Sequence, residues 1–301
     1  MFRPCNWPPE MIHPFANHPY IRMNGIGNEI IIVDLRQSAL EMTPAAVRAI
    51  ARGPQTGFDQ MMVLQAPRQP GTAAFMTIYN NDGSQSSACG NGTRCVAWWL
   101  LRDSPRQSLL LETDSGLLAG TRNGPLDFTI DMGAPRLAAA DIPLRDALPD
   151  TRRVDLGIAT GVAQGLPHPS AVNMGNPHAV FFVADLAGHD LAALGPLLER
   201  HPMFPERANI SFAQVLAREH IVMKVWERGA GLTRACGSGA CAVLVAAVRA
   251  GLTGRKCRVS LPGGDLMIEW RASDGHVLMG GAVELEHEGR LDPALFESVP
   301  A

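Results

Sequence analysis

Two five-residue stretches of this chain nearly repeat each other, and that repeat limits every fold the chain can adopt. Ala88-Cys89-Gly90-Asn91-Gly92 is matched 147 positions later by Ala235-Cys236-Gly237-Ser238-Gly239. Each puts a cysteine and two glycines ahead of an apolar run that reads as a helix, 96–101 and 240–248. The match extends beyond these loops. Asn80 and Glu227 each stand nine residues before their cysteine, behind the aromatic residues Tyr79 and Trp226. Met76 and Met223 also share an offset, and Gly27-Asn28 and Gly175-Asn176 each precede an apolar run. Downstream, Gly116 and Gly263 lie 27 positions after their cysteines, and Met132-Gly133 and Met279-Gly280 lie 43 and 44 after. Agreement at so many offsets implies two homologous halves, about 20–134 and 135–281, related by a pseudo-two-fold axis. A period this long means two domains and not a solenoid.

Short β-rich stretches bounded by turn residues recur in both halves. They fall at 30–33, 60–64, 75–79, 109–113 and 126–132, then at 179–183, 221–226, 258–261, 266–270 and 276–279. Helical patterns are fewer: 44–52, 89–102, 191–201 and 236–250. Asp82-Gly83, Asn123-Gly124 and Asp274-Gly275 mark turns. Strands that cluster instead of alternating with helices predict an α+β fold. Each half is expected to wrap its strands around one apolar helix that starts at the cysteine.

Composition excludes several classes of function. At 301 residues the chain has room for two ordinary domains, each with its own core. A net charge of −3 leaves no basic footprint for nucleic acid. No apolar run approaches the roughly 20 residues that cross a bilayer. The first 20 residues hold five prolines and no continuous apolar stretch. That argues against a secretory signal and for an irregular extension over 1–19. Six cysteines in so long a chain are no disulfide framework, and a reducing cytoplasm fits them.

A Cys-Gly-x-Gly turn entering a helix brings together uncovered backbone N–H groups and the positive end of a helix dipole. Such a site holds a carboxylate. The same field is expected to lower the pKa of the cysteine. Two such loops facing one substrate place an α-carbon between two sulfurs. One thiolate removes the α-proton while the opposite thiol supplies a proton to the other face. The stereocentre inverts, and the helix ends stabilise charge that builds on the carboxylate. The plainer reading, a small core residue, suits Cys5, Cys95, Cys241 and Cys257. Zinc is not expected, because no CxxC pair occurs and neither loop has histidine at ligand spacing. A papain-type nucleophile with His178 as base leaves the second equivalent loop unexplained.

At these residues the chain resembles the diaminopimelate epimerase family. The resemblance runs from about Arg22 almost to the C-terminus. It rests on Met23-Asn24-Gly25-Ile26-Gly27-Asn28, Phe58-Asp59-Gln60, Asn80-Asn81-Asp82-Gly83-Ser84 and the two cysteine loops. Met174-Gly175-Asn176-Pro177-His178-Ala179, Asn209-Ile210-Ser211-Phe212 and Glu227-Arg228-Gly229-Ala230-Gly231 complete it. It implies two pseudo-symmetric domains, each a barrel-like, mostly antiparallel sheet around a central helix, with the active site in the cleft between them. The C-terminal strand would return to the first domain, giving 20–134 plus 282–301 and 135–281. The implied activity is epimerisation of LL-2,6-diaminopimelate to the meso form, in lysine and peptidoglycan precursor biosynthesis. It would need neither PLP nor a metal, and the enzyme would be a homodimer.

Carried over residue by residue, Cys89 and Cys236 would be the acid/base pair. Gly90, Asn91, Gly237 and Ser238 would cradle the α-carboxylate through backbone N–H. Glu227 would hold the α-ammonium, with Asn28 and Gln60 lining the same region. Arg228, Asn80, Asn176 and Asn209 would recognise the distal end of the substrate, Arg228 as a bidentate carboxylate partner. His178 would support the site near the cysteines. The chain departs from the family pattern at Asn24, Leu232 and Arg234.

Four other readings compete. Proline and hydroxyproline racemases share the facing cysteines but lack the Glu227-Arg228 pair and the asparagines; a histidine racemase shares more of the site. A PLP-dependent racemase needs a Schiff-base lysine, and Lys224 and Lys256, the only lysines, have no phosphate cradle beside them. A non-catalytic amino-acid-binding relative has no use for both cysteines.

Overall fold

In a computed structural model the protein is described over residues 13–86, 88–158, 163–297 and 299. Cys5 and most of the expected N-terminal extension lie outside the described residues. The first half runs β1 (Pro19–Asn24), β2 (Glu29–Asp34), α1 (Pro44–Ala51), β3 (Gln60–Gln65), β4 (Ala74–Asn80) and β5 (Gln85–Ser86). It continues with α2 (Gly90–Leu101), β6 (Ser108–Thr113), β7 (Gly116–Gly124) and β8 (Asp127–Asp131). The second half repeats this order. Its elements are β9 (Ser170–Asn173), β10 (Pro177–Phe182), α3 (Leu191–Glu199), β11 (Asn209–Ala217) and β12 (His220–Glu227). Then come β13 (Gly231–Thr233), α4 (Gly237–Arg249), β14 (Lys256–Leu261), β15 (Gly264–Trp270) and β16 (Val277–Ala282). Among the described residues, only β17 (Glu284–Arg290) and a short 3-10 turn (Pro293–Phe296) have no counterpart in the other half.

Strand pairing repeats as strictly as element order. The parallel neighbours β2/β3 and β4/β6 are matched by β10/β11 and β12/β14, and the remaining pairs are antiparallel. Strands β8 and β16 lie side by side, with Thr129 opposite Gly280, so the two halves share one continuous sheet. Beyond β16 the chain runs through Val283 into β17, which pairs with β1 and joins the ends of the first half's sheet. Beyond β8 it reaches Arg136, which bridges Asn173 of β9. The first barrel thus closes through a full strand and the second through a single bridge.

Each barrel is filled by its cysteine-led helix. Cys95, Val96 and Ala97 of α2 pack among Ile30, Met62, Ile78 and Phe128. Val243, Leu244 and Val245 of α4 pack among Met223, Val259 and Ile268. Outside the barrels, α1 covers Ile31, Val33 and Met61, and α3 covers Phe181, Ile210 and Phe212. Strands β2, β3, β10 and β11 are therefore buried on both faces. That is why β2, β3 and β10 carry unbroken apolar runs such as Ile30-Ile31-Ile32-Val33 instead of alternating, whereas Ser211 and Gln214 interrupt β11. Each large side chain buried this way contributes about 1.5–3 kcal/mol. Helix α1 opens with Pro44 behind Thr43, whose hydroxyl accepts from Ala46 N–H at 3.2 Å.

Candidate active site

Both central helices begin at their cysteines. Cys89 and Cys236 are N-cap residues in extended conformation, with φ of −150° and −133°. The glycines that follow permit close packing. A Cβ on Gly237 would lie 2.7 Å from Met279 Sδ and 3.3 Å from Asn91 Oδ1. A Cβ on Gly90 would also overlap Met279. The two cysteine loops therefore meet across Met279, one from each half.

They open on one cavity of about 860 Å³. The cavity wall holds Cys89, Gly90 and Asn91 from the first loop and Cys236, Gly237 and Ser238 from the second. Asn28, Gln60 and Asn80 line it from the first half, and Asn176, Asn209, Glu227 and Arg228 from the second. His178 alone among the expected residues stands off the wall. It is buried, and its Nε2 lies 2.8 Å from Asn176 Oδ1, so it orients that amide from behind.

The polar side chains are tied to one another. Asn28 Nδ2 donates to Asp59 Oδ2 at 3.0 Å, which turns its Oδ1 toward Cys89 Sγ at 3.7 Å. Gln60 Nε2 donates to Asn80 Oδ1 at 3.1 Å. Asn209 Oδ1 accepts from Arg228 N–H at 2.9 Å, while its Nδ2 donates to Pro177 O at 3.1 Å. Arg228 Nη1 donates to Glu206 O at 2.9 Å. Thr233 Oγ1 donates to Glu227 Oε1 at 2.5 Å. Asp59 lies in the Phe58-Asp59-Gln60 motif but carries no expected role, and nothing in the sequence marks Thr233.

The expected lowering of the cysteine pKa is overturned. Burial pushes the Cys89 thiol up to about 11, although the Gly92 N–H that donates to Sγ at 3.2 Å works against it. Cys236 is pushed well above the usual thiol range by burial and by the Glu227 carboxylate beside it. Helix-end N–H groups favour a thiolate, but enclosure by protein disfavours charge more strongly. Burial also raises Glu227, and it lowers His178 to about 3, leaving that imidazole neutral. Among the described residues no group of three His, Cys, Asp or Glu side chains converges as a metal site.

The family model described as diaminopimelate epimerase matches residues 20–138 and 170–285. The chain belongs to the diaminopimelate epimerase family. A diaminopimelate epimerase of Methylocella silvestris is 58% identical over 96% of this chain and 100% of its own length. One from a Methylobacterium species is 57% identical over 94% of this chain and 98% of its own. Among solved structures, a hydroxyproline epimerase of Agrobacterium vitis with bound trans-4-hydroxy-L-proline superposes with TM-score 0.63. It has 15% identity and covers 91% of this chain and 92% of its own. A Bacillus anthracis phenazine biosynthesis protein of the PhzF family gives TM-score 0.65, with 14% identity over 91% and 98% of the two chains. These last two show the epimerase family's two-barrel α+β fold alone. No helix among the described residues is long and apolar enough to cross a membrane.

Proposed function

We propose that this chain interconverts LL- and meso-2,6-diaminopimelate by two-base proton transfer at one α-carbon. The observation that carries the reading is that two pseudo-equivalent cysteines, each heading a barrel's central helix, open on one cavity beside Glu227 and Arg228. The near-full-length identity to diaminopimelate epimerases supports the substrate. The α-carboxylate sits on the N–H groups of the two loops, and Glu227 takes the α-ammonium. Arg228 takes the distal carboxylate, with Asn80, Asn176 and Asn209 around the distal amino group and Asn28 and Gln60 beside the reacting end.

One sulfur, as thiolate, takes the α-proton, and the electron pair left on carbon is delocalised into the carboxylate held at the helix ends. The other sulfur gives its proton to the opposite face and leaves as thiolate. One C–H bond breaks and one forms, and the net charge is unchanged. Both free thiols resist ionisation, so charge must be supplied on binding. The substrate ammonium neutralises Glu227 beside Cys236 and adds a positive charge near the sulfurs. The step requires neither metal nor organic cofactor.

The same proposal treats 20–134 with 282–301 and 135–281 as the two domains, and the enzyme as a cytoplasmic homodimer, both on family resemblance. Loss of optical activity from pure LL-diaminopimelate, followed with the purified chain, tests the reading. Turnover of proline or histidine instead of diaminopimelate would replace it.

A further inference from the structure

The cavity wall that bears Glu227 and Arg228 runs from Glu227, the half-buried last residue of β12, through the exposed Arg228, Gly229 and Ala230 into β13. One side chain outside the cavity grips it at both ends. Glu199, the last residue of α3, is 3% exposed. Its Oε2 accepts from Trp226 Nε1 at 2.7 Å, and its Oε1 accepts from the Gly229 backbone N–H at 3.2 Å. Trp226 precedes Glu227, and Gly229 follows Arg228. One buried carboxylate therefore takes a donor from each residue that flanks the pair.

The surroundings fit a clamp. Gly195, one turn earlier on α3, has no side chain because the Trp226 indole occupies that space. Arg207 Nη1 lies 3.7 Å from Glu199 Oε1. Glu199 O accepts from Ala208 N–H at 3.2 Å, and the next residue, Asn209, accepts from Arg228 N–H. A carboxylate at a helix C-terminus is disfavoured by the helix dipole, and burying one costs more still unless donors meet it. Helix packing alone does not require an acid here. The position is explained by what it holds.

We infer that Glu199 is a positioning residue that fixes the Glu227–Arg228 pair and so sets how tightly the two-headed substrate is held. It touches no substrate. This rests on the function proposed above for Glu227 and Arg228, whose contacts with the α-ammonium and distal carboxylate are already formed in the bound ground state. Their loss appears in KM more than in kcat.

The test compares Glu199→Gln, which keeps volume but can accept from only one of the two donors through oxygen, with Glu199→Ala and Trp226→Phe. KM for LL-diaminopimelate rises about tenfold in Glu199→Gln, while kcat changes less than about threefold. Trp226→Phe gives a smaller rise, and adding it to Glu199→Gln adds little, because the two changes remove a shared bond. Unchanged KM in an active Glu199→Gln enzyme, or a fall in kcat with KM unchanged, overturns the inference, since a carboxylate that only holds the fold alters the amount of active enzyme.

Iodoacetamide labelling of Cys236, read by mass spectrometry, tests the clamp without substrate. Freeing Glu227 from its place beside that thiol speeds labelling by about threefold in Glu199→Gln. If the wild-type chain fails to epimerise diaminopimelate, the proposed function falls, and labelling alone decides the clamp. An unchanged labelling rate then rejects it.

Discussion

The two cysteine loops share ancestry and backbone, yet the charges around them are opposite. Cys89 Sγ receives the Gly92 N–H and has the neutral Asn80 at the position where the second half carries Glu227. Five residues further along α2 stands Arg94, fully buried, with none of its guanidinium nitrogens hydrogen-bonded among the described residues. The equivalent position on α4 is Cys241. Cys236 Sγ instead approaches Ser238 Oγ at 3.6 Å and the Glu227 carboxylate. A cation behind one sulfur and an anion beside the other make Cys89 the easier to ionise. Symmetric backbones supply the opposed geometry, and unequal side chains make the two thiols unequal in how readily they ionise.

The largest effect expected from breaking this pairing is on turnover. Cys89→Ala and Cys236→Ala each lower epimerisation by at least about a thousandfold while the thermal midpoint stays within a few degrees. Near-normal turnover in either variant, measured by polarimetry, removes the two-base assignment. Arg228→Ala comes next, raising KM by roughly ten- to a hundredfold with little change in kcat. An unchanged KM takes the distal carboxylate away from Arg228.

Smaller effects sharpen the comparison between the halves. Near pH 8, iodoacetamide labels Cys89 faster than Cys236 by about tenfold. Arg94→Met slows Cys89 by a few-fold and leaves Cys236 alone. Equal rates at both sulfurs in the parent enzyme contradict the charge asymmetry. The smallest effect is on alkaline stability. Burial raises Cys95 and Cys241 to about 12, whereas the unfolded chain ionises such thiols near 9.0. The folded state keeps protons that the unfolded state loses, so their stabilisation is full below about pH 9 and disappears as pH climbs toward 12. A Cys95→Ala/Cys241→Ala double variant should therefore lose thermal midpoint less steeply than the parent between about pH 8.5 and 10.5, by a few degrees. Parallel curves argue against these thiols as the cause.

Much of the fold was legible because burial on both faces writes unbroken apolar runs, as at 30–33 and 61–64. The four helices were legible for a related reason, since each carries one long apolar stretch behind a clear start. The strands that escaped notice lack such a signature. Strand β17, Glu-Leu-Glu-His-Glu-Gly-Arg, has no fully buried face and was expected only through the family resemblance. Strand β7 contains three glycines, β1 begins with Pro19, and β9 spans only four residues. The cysteine loops, Asn28, Asn80, Asn176 and Glu227 stood out by repeat offset, whereas Gln60, Asn209 and Arg228 were marked only by the family resemblance. Glu199 was not, because its role depends on Trp226 and Gly229, far along the chain, coming back to it. The rise of both thiol pKa values was also hidden. A helix start is visible in sequence, but the depth of the wall around it is not.

The most direct test is conversion of LL-diaminopimelate in deuterated water, with label followed in both substrate and product at early times. Opposed sulfurs place solvent deuterium at the inverted carbon of the meso product, while recovered LL substrate remains nearly unlabelled. Label entering recovered substrate as fast as product, or product formed with its original hydrogen retained, would mean that a single group serves both faces.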